Sequence, residues 1–202
     1  MHYINAIIVD YFTQIFFSEG GSCAEALQCV EPKISAEQNI SLLAPFNPAD
    51  VRAAIFSMHP DKSPGPDGMN HAFFQNFWSI VGDDVSAACL HFIHHFMFPA
   101  DLNETLAILI PKKSNPDYIT DFRPIALCNV LYKIVAKMLA SRLKLVLGSI
   151  ISDSQSAFIP GRSITDNIMI SAEVMHYLKR KKQGREGAAA LKIDMAKVYD
   201  RI

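Results

Sequence analysis

Acidic residues that follow an apolar run near residue 194 have the clearest chemical potential in this sequence. The apolar residues 188–191 lead into Asp194, and a second acid, Asp200, follows Tyr199. Because the run is short and continuous, we predict a buried strand over 188–194. A carboxylate at the tip of such a strand can bind a hard divalent cation such as Mg²⁺, which prefers oxygen ligands. Catalysis of phosphoryl transfer by two such ions needs more carboxylates than this strand supplies.

Composition narrows the class of protein. The chain has 202 residues, 50% of them hydrophobic, and a formal net charge of -1. This length suits one domain or one and a half, and it can bury a sizeable core. The neutral balance argues against a strongly basic nucleic-acid module, although residues 179–182 and Arg185 form a local basic cluster. That cluster is either a solvated helix end or a phosphate contact.

The four cysteines form no Cys-x-x-Cys pair, so the sequence predicts neither a zinc knuckle nor a disulfide framework. Residues 1–18 lack the basic start and the cleavage site of a signal peptide, and no apolar run reaches the length of a membrane span. We therefore expect a soluble, intracellular protein with reduced thiols and no membrane partner.

Patterning in the first half favours helices. Apolar residues at three- and four-residue steps over 4–16 predict a helix, and residues 22–48 read as a loop or linker. Asn47 and Pro48 are typical of a helix start. A rigid turn over 62–68 and a long helix from Phe73 to about Pro99 should follow. We expect an N-terminal helix and linker over 1–46 and an incomplete second domain over 47–202.

The second half predicts a hairpin and two more helices. Apolar runs at 105–110 and 123–127 should pair as antiparallel strands, with Lys112 and Arg123 near the connecting loop. A helix over 129–147 should end at Gly148. After a loop over 152–162, Ser163 or Thr165 should cap a helix that runs to about Gln183, with Asp166 at its positive end. The fold class is therefore α/β (α+β), rich in helix.

Five short strings occur in order along the chain. They are KSPGPDG at 62–68, LIPK at 109–112, DFRPIAL at 121–127, SQSAFIPGR at 154–162 and KIDMAKVYD at 192–200. Together they resemble the reverse transcriptase of non-LTR retrotransposons, most closely the plant LINE type. The resemblance covers roughly residues 40–202.

The resemblance implies a right-hand polymerase fold. Residues from about 102 to 170 would be fingers, and residues 192–200 would be the first strand of the palm. Asp194 would be the catalytic aspartate that binds Mg²⁺, and Tyr199 would pack beside the sugar of the incoming nucleotide. The implied partners are an RNA template, a DNA primer and deoxynucleoside triphosphates.

Five further residues acquire candidate roles through the resemblance. Lys112 and Arg123 would bind the triphosphate, which suits an ammonium and a guanidinium that can contact several phosphate oxygens. Lys112 could instead be an exposed lysine at a strand end, and Lys113 would then bind the triphosphate. Gln155, Gly161 and Arg162 would contact template or primer, or they would form a purely structural loop. A glycine and a nearby helix N-terminus favour phosphate approach.

The pattern is incomplete in this sequence. In the family, an aromatic and a small residue precede two adjacent aspartates, and no such string follows Asp194 here. Asp83 and Asp84 are adjacent, but they precede the hairpin within a predicted helix. We expect a partial RNA-directed DNA polymerase domain whose two-metal site is incomplete and which is inactive alone. The alternatives are a non-enzymatic nucleic-acid-binding module and a helical interaction protein.

Overall fold

The computed structural model describes residues 2–17, 20, 24–181 and 187–194. Those residues form eight α-helices and one antiparallel pair of strands, so the expected helix-rich α/β character is confirmed. The elements are α1 His2–Phe16, α2 Ala24–Gln28, α3 Ala36–Leu43, α4 Pro48–Phe56, α5 His71–Asn76, α6 Trp78–His95, β1 Thr105–Pro111, β2 Phe122–Cys128, α7 Val130–Ile150 and α8 Ile164–Arg180.

Two predicted helix starts are confirmed by their caps. The Asn47 side chain accepts hydrogen bonds from the backbone N–H groups of Ala49 (2.9 Å) and Asp50 (3.2 Å), and Asp50 accepts one from the Asn47 backbone. At α8 the Ser163 hydroxyl accepts from the Thr165 N–H. These side chains satisfy backbone donors that the first turn of a helix leaves unpaired.

Three helix boundaries differ from the prediction. The presumed linker over 22–48 contains α2 and α3, and α3 begins with a capping box in which Ser35 and Gln38 bond reciprocally. The long helix after Phe73 is broken at Phe77, which leaves helical geometry (φ -102, ψ 18) between α5 and α6. Gly148 does not end α7, because one glycine inside a helix costs only about 1 kcal/mol.

The predicted strand over 188–194 is wrong. Residues 187–194 have no regular secondary structure, and Leu191 and Ile193 are 84% and 76% exposed. A strand needs a neighbour to bond its N–H and C=O groups. Among the described residues the sheet contains β1 and β2 alone, and neither pairs with this segment.

The chain divides into two compact units, one of residues 34–146 and one of residues 1–33 with 147–202. The core of the first unit lies among α4, α5, α6 and α7. Its fully buried side chains include Val51, Ile55 and Ile134, whose removal from water is the main stabilising contribution. In the second unit Ile15 of α1 and Ile159 are buried. None of the described helices has both the length and the apolarity to cross a bilayer.

The turn over 62–68 is fixed to the start of α7 by Asn129. This side chain is 1% exposed, accepts a hydrogen bond from the Asp67 N–H (3.2 Å) and donates one to the Leu102 carbonyl (3.2 Å). Gly65 lies directly against the backbone of Asn129. The turn therefore has a tertiary role that its own residues do not reveal.

Candidate functional site

The basic residues of the hairpin lie where its two strands meet the loop. The register pairs Ile110 with Arg123, and the Lys112 N–H donates to the Asp121 carbonyl (2.7 Å), which extends the pairing beyond β1. The predicted hairpin, with Lys112 and Arg123 at its loop end, is confirmed. Both residues are exposed.

The two lysines of this loop differ in what they contact. Lys113 forms ion pairs with Asp121 (2.8 Å) and Asp117 (3.6 Å), so its charge is already balanced. The Lys112 ammonium donates to the Thr120 carbonyl (2.8 Å), a neutral acceptor. Lys112 is therefore the lysine whose charge remains available to a ligand, which favours it over Lys113 as the candidate.

Asp121 organises the loop between the strands. Its carboxylate accepts hydrogen bonds from the Lys113 ammonium and from the N–H groups of Asp117 and Tyr118 (3.0 Å each). The hydrogen bond from Lys113, followed by that from Tyr118, lowers the pKa of Asp121 below its ordinary value. The loop is thus held by a carboxylate that stays charged at neutral pH.

The Arg123 guanidinium lies at the exposed end of the hairpin. Across the residues that the structure describes, no hydrogen bond or ion pair reaches this side chain. A guanidinium offers five N–H donors in a fixed plane. The hairpin end therefore presents a strong anion-binding group to solvent.

Asp194 belongs to the other unit and is exposed. Its carboxylate is a hard oxygen donor of the kind that Mg²⁺ accepts. Within the described ranges, no three His, Cys, Asp or Glu side chains are grouped so that they could share a metal ion. Tyr199, the candidate beside the sugar, and Asp200 lie outside the described residues, so their roles stay predictions.

The loop before α8 is closed by Arg162. Its guanidinium donates to the carbonyls of Ser152 and Gln155 (2.7 Å to the latter) and pairs with Asp153 (3.2 Å). These contacts hold the loop together, and the contact of Arg162 with template or primer stays a prediction. They leave little of the side chain available for a nucleic acid, because it is only 20% exposed.

Two other candidates in this loop remain accessible. Gln155 is exposed, and its side-chain amide donates to the Ala157 carbonyl (3.3 Å). Gly161 has a positive φ of 80°, and no atom lies within 4 Å of the position that a Cβ would occupy. A ligand backbone could approach this glycine closely.

Sequence reasoning missed two residues, Asn129 and His71. Both are 1% exposed, and Asn129 connects the turn over 62–68 to α7. Asn129 precedes a helix and resembles an ordinary cap, while His71 carries no motif. Their burial becomes visible only when segments that are distant in the sequence pack together.

Together these observations define a helix-rich α/β protein with exposed basic side chains at the loop end of its hairpin. Comparison with known proteins then identifies the family. Residues 110–202 match the family described as reverse transcriptase (RNA-dependent DNA polymerase). The chain is 33% identical over 171 residues, 85% of its length, to the "Transposon TX1 uncharacterized 149 kDa protein" of Xenopus laevis.

A second relative is the "Retrovirus-related Pol polyprotein from type-1 retrotransposable element R2" of Bradysia coprophila, 23% identical over 195 residues, or 96% of this chain. The chain spans 13% of the first relative and 21% of the second. It is a partial reverse transcriptase domain related to non-LTR, LINE-type retrotransposon proteins, as the five strings indicated. The resemblance to the plant type stays a prediction.

Proposed function

We propose that this chain supplies the triphosphate-binding hairpin and one metal ligand of an RNA-directed DNA polymerase. In this proposal the hairpin belongs to the fingers, and residues 192–200 begin the palm. The observation that carries it is the exposed Arg123 guanidinium, which no described residue engages, beside the Lys112 ammonium on the same hairpin end. A triphosphate has several charged oxygens, and a guanidinium can contact two of them at once.

Asp194 is the proposed Mg²⁺ ligand. Bound Mg²⁺ would neutralise charge on the triphosphate during phosphoryl transfer. The carboxylate of Asp194 is accessible to such an ion, since the residue is exposed. Gln155 and Gly161 are the proposed contacts to the template or primer backbone, and Arg162 is proposed to hold their loop in shape.

A nucleotide titration tests the hairpin. We expect Arg123→Gln to weaken binding of a fluorescent deoxynucleoside triphosphate by about tenfold or more in the presence of Mg²⁺, because a hydrogen bond between charged groups is worth about 1.5–3 kcal/mol. Lys112→Gln should act in the same direction. Fluorescence anisotropy of the 202-residue chain gives the dissociation constants.

Arg52→Gln is the matched control. Arg52 is an exposed arginine whose guanidinium lies 4.7 Å from the centre of the Phe56 ring, on α4. The same charge is lost there, so a general electrostatic effect would weaken binding equally. Equal affinities of the Arg123 and Arg52 variants would refute the proposed triphosphate site.

A further inference from the structure

A second basic site lies in the unit of residues 34–146, in a cavity of about 450 Å³. Three lysines line it, Lys62, Lys133 and Lys137, and no lining residue is acidic. A volume of this size is within the range of small-molecule pockets. Like charges around one cavity repel one another unless an anion occupies it.

The buried imidazole of His71 is the observation that points to a ligand. His71 lines this cavity and is 1% exposed, yet neither of its ring nitrogens has a hydrogen-bond partner among the described residues. A buried polar group normally finds a partner, because leaving it unpaired costs free energy. The cavity is the place from which such a partner can come.

The charged groups that act on His71 are positive. Burial, then the nearby ammonium groups of Lys133 and Lys62, lower the pKa of His71 below its ordinary value. The cavity is also lined by His59, whose Nδ1 accepts a hydrogen bond from the Asp61 N–H (3.2 Å). A bound anion would offset the lysines and accept a hydrogen bond from the imidazole.

The walls of the cavity are fixed by hydrogen bonds. The Lys133 ammonium donates to the Ser63 carbonyl (2.8 Å). This bond uses one of the three N–H donors of the ammonium group. The Gln75 side chain donates to the carbonyls of Ile55 and Met58 (2.9 Å each), which joins the end of α4 to α5. These bonds fix Lys133 and the junction of α4 and α5 in place.

We infer that the cavity lined by His71, Lys62, Lys133 and Lys137 binds a phosphate group. A phosphate offers several oxygens and full negative charge, so it can accept from ammonium and imidazole donors together. The phosphate belongs either to a free nucleotide or to the backbone of a nucleic acid. This site uses neither Lys112, Arg123 nor Asp194, so it stands or falls separately from the proposed function.

NMR of the histidine side chains in the 202-residue chain tests the inference. Inorganic phosphate should shift the His71 resonances and raise the pKa of His71. The double variant Lys62→Gln/Lys137→Gln should weaken that binding by about tenfold or more. These two lysines are chosen because no hydrogen bond among the described residues uses their side chains. The His71 signals are assigned through bonds in the unmodified chain, so no folding-sensitive variant is required.

Lys144→Gln is the control, since Lys144 is exposed on α7 and does not line the cavity. Two further probes, a mononucleotide and a single-stranded RNA without terminal phosphate, separate the sources. A lysine-dependent response to the mononucleotide alone assigns the site to free nucleotides, and one to the RNA assigns it to a backbone.

Two results would overturn the inference. The first is that none of the three probes shifts the His71 resonances. The second is that the double variant binds phosphate as tightly as Lys144→Gln does.

Discussion

Gly65 occupies a position that no larger residue can take without movement of its surroundings. A Cβ there would lie 2.5 Å from the Asn129 nitrogen and 2.6 Å from the Cys128 carbonyl carbon, and it would also overlap the Asn129 side-chain oxygen. The first two atoms belong to the backbone at the junction of β2 and α7, so they cannot swing aside. The glycine allows the turn over 62–68 to pack against this junction.

Replacement of Gly65 should therefore destabilise the protein. We expect Gly65→Ala to lower the free energy of unfolding by about 1–3 kcal/mol, the usual cost of forcing an extra methyl group into a packed site. Urea denaturation followed by circular dichroism measures the change.

Gly148→Ala provides a control of opposite sign. Gly148 lies within α7, and no atom is within 4 Å of the position of its Cβ. Alanine favours a helix over glycine by about 1 kcal/mol, so this variant should be as stable as the unmodified chain or more so. A Gly65 variant of unchanged stability would show that the turn does not pack as described.

At the scale of elements, the hairpin is a local structure stabilised at its loop by one carboxylate. The strands β1 and β2 expose large side chains, among them Leu106, Ile108 and Ile125. Their order depends on cross-strand hydrogen bonds and on the loop that aligns them. Asp121, which pairs with Lys113 and accepts two backbone N–H bonds, is the centre of that loop.

The contribution of Asp121 should depend on pH in a defined direction. Its pKa is lowered in the folded chain, so its stabilisation is complete above the ordinary aspartate pKa of about 3.9. The stabilisation is lost as the pH falls through the lowered value, where the carboxylate becomes protonated. Asp121→Asn should thus increase amide hydrogen exchange at Asp117 and Tyr118 near pH 6. In acid, the exchange rates of the variant and of the unmodified chain should become more similar.

Asp117→Asn separates this role from a general loss of charge. The Asp117 carboxylate is 74% exposed and lies 3.6 Å from Lys113, so its removal should have the smaller effect. If Asp117→Asn loosened the loop as much as Asp121→Asn, Asp121 would not be its organising residue.

At the scale of the whole molecule, the chain consists of two units, and the candidate groups are distributed between them. Lys112, Arg123 and the cavity of His71 belong to residues 34–146, whereas Asp194 and the loop of Arg162 belong to the other unit. The chain spans 13% and 21% of the lengths of the two relatives.

The 202-residue polypeptide by itself should not copy RNA. Two-ion phosphoryl transfer requires several carboxylates around the metals, and Asp194 is the one metal ligand proposed for this chain. Primer extension on an RNA template with Mg²⁺ and deoxynucleoside triphosphates is expected to yield no product. Extension that Asp194→Asn abolishes would contradict the expectation and would show that Asp194 suffices with other groups in these residues.

Local signals allowed much of the fold to be predicted. The caps at Asn47 and Ser163 depend on residues within three positions, and the hairpin depends on two apolar runs joined by a polar loop. The family followed from five short strings. The strand over 188–194 was predicted wrongly, because an apolar run specifies a strand only when a neighbour supplies its hydrogen bonds.

The amino-acid sequence by itself determined the family, the helix starts and the basic hairpin, since each depends on residues close together in the chain. Only the tertiary structure decided which basic groups remain available. It paired Lys113 and Arg162 with acids, left the side chain of Arg123 exposed, and brought His71 into a cavity with Lys62 and Lys133. Residues 62 and 133 meet through packing of α7 against the preceding segments, and sequence patterns carry no information about contacts at that separation.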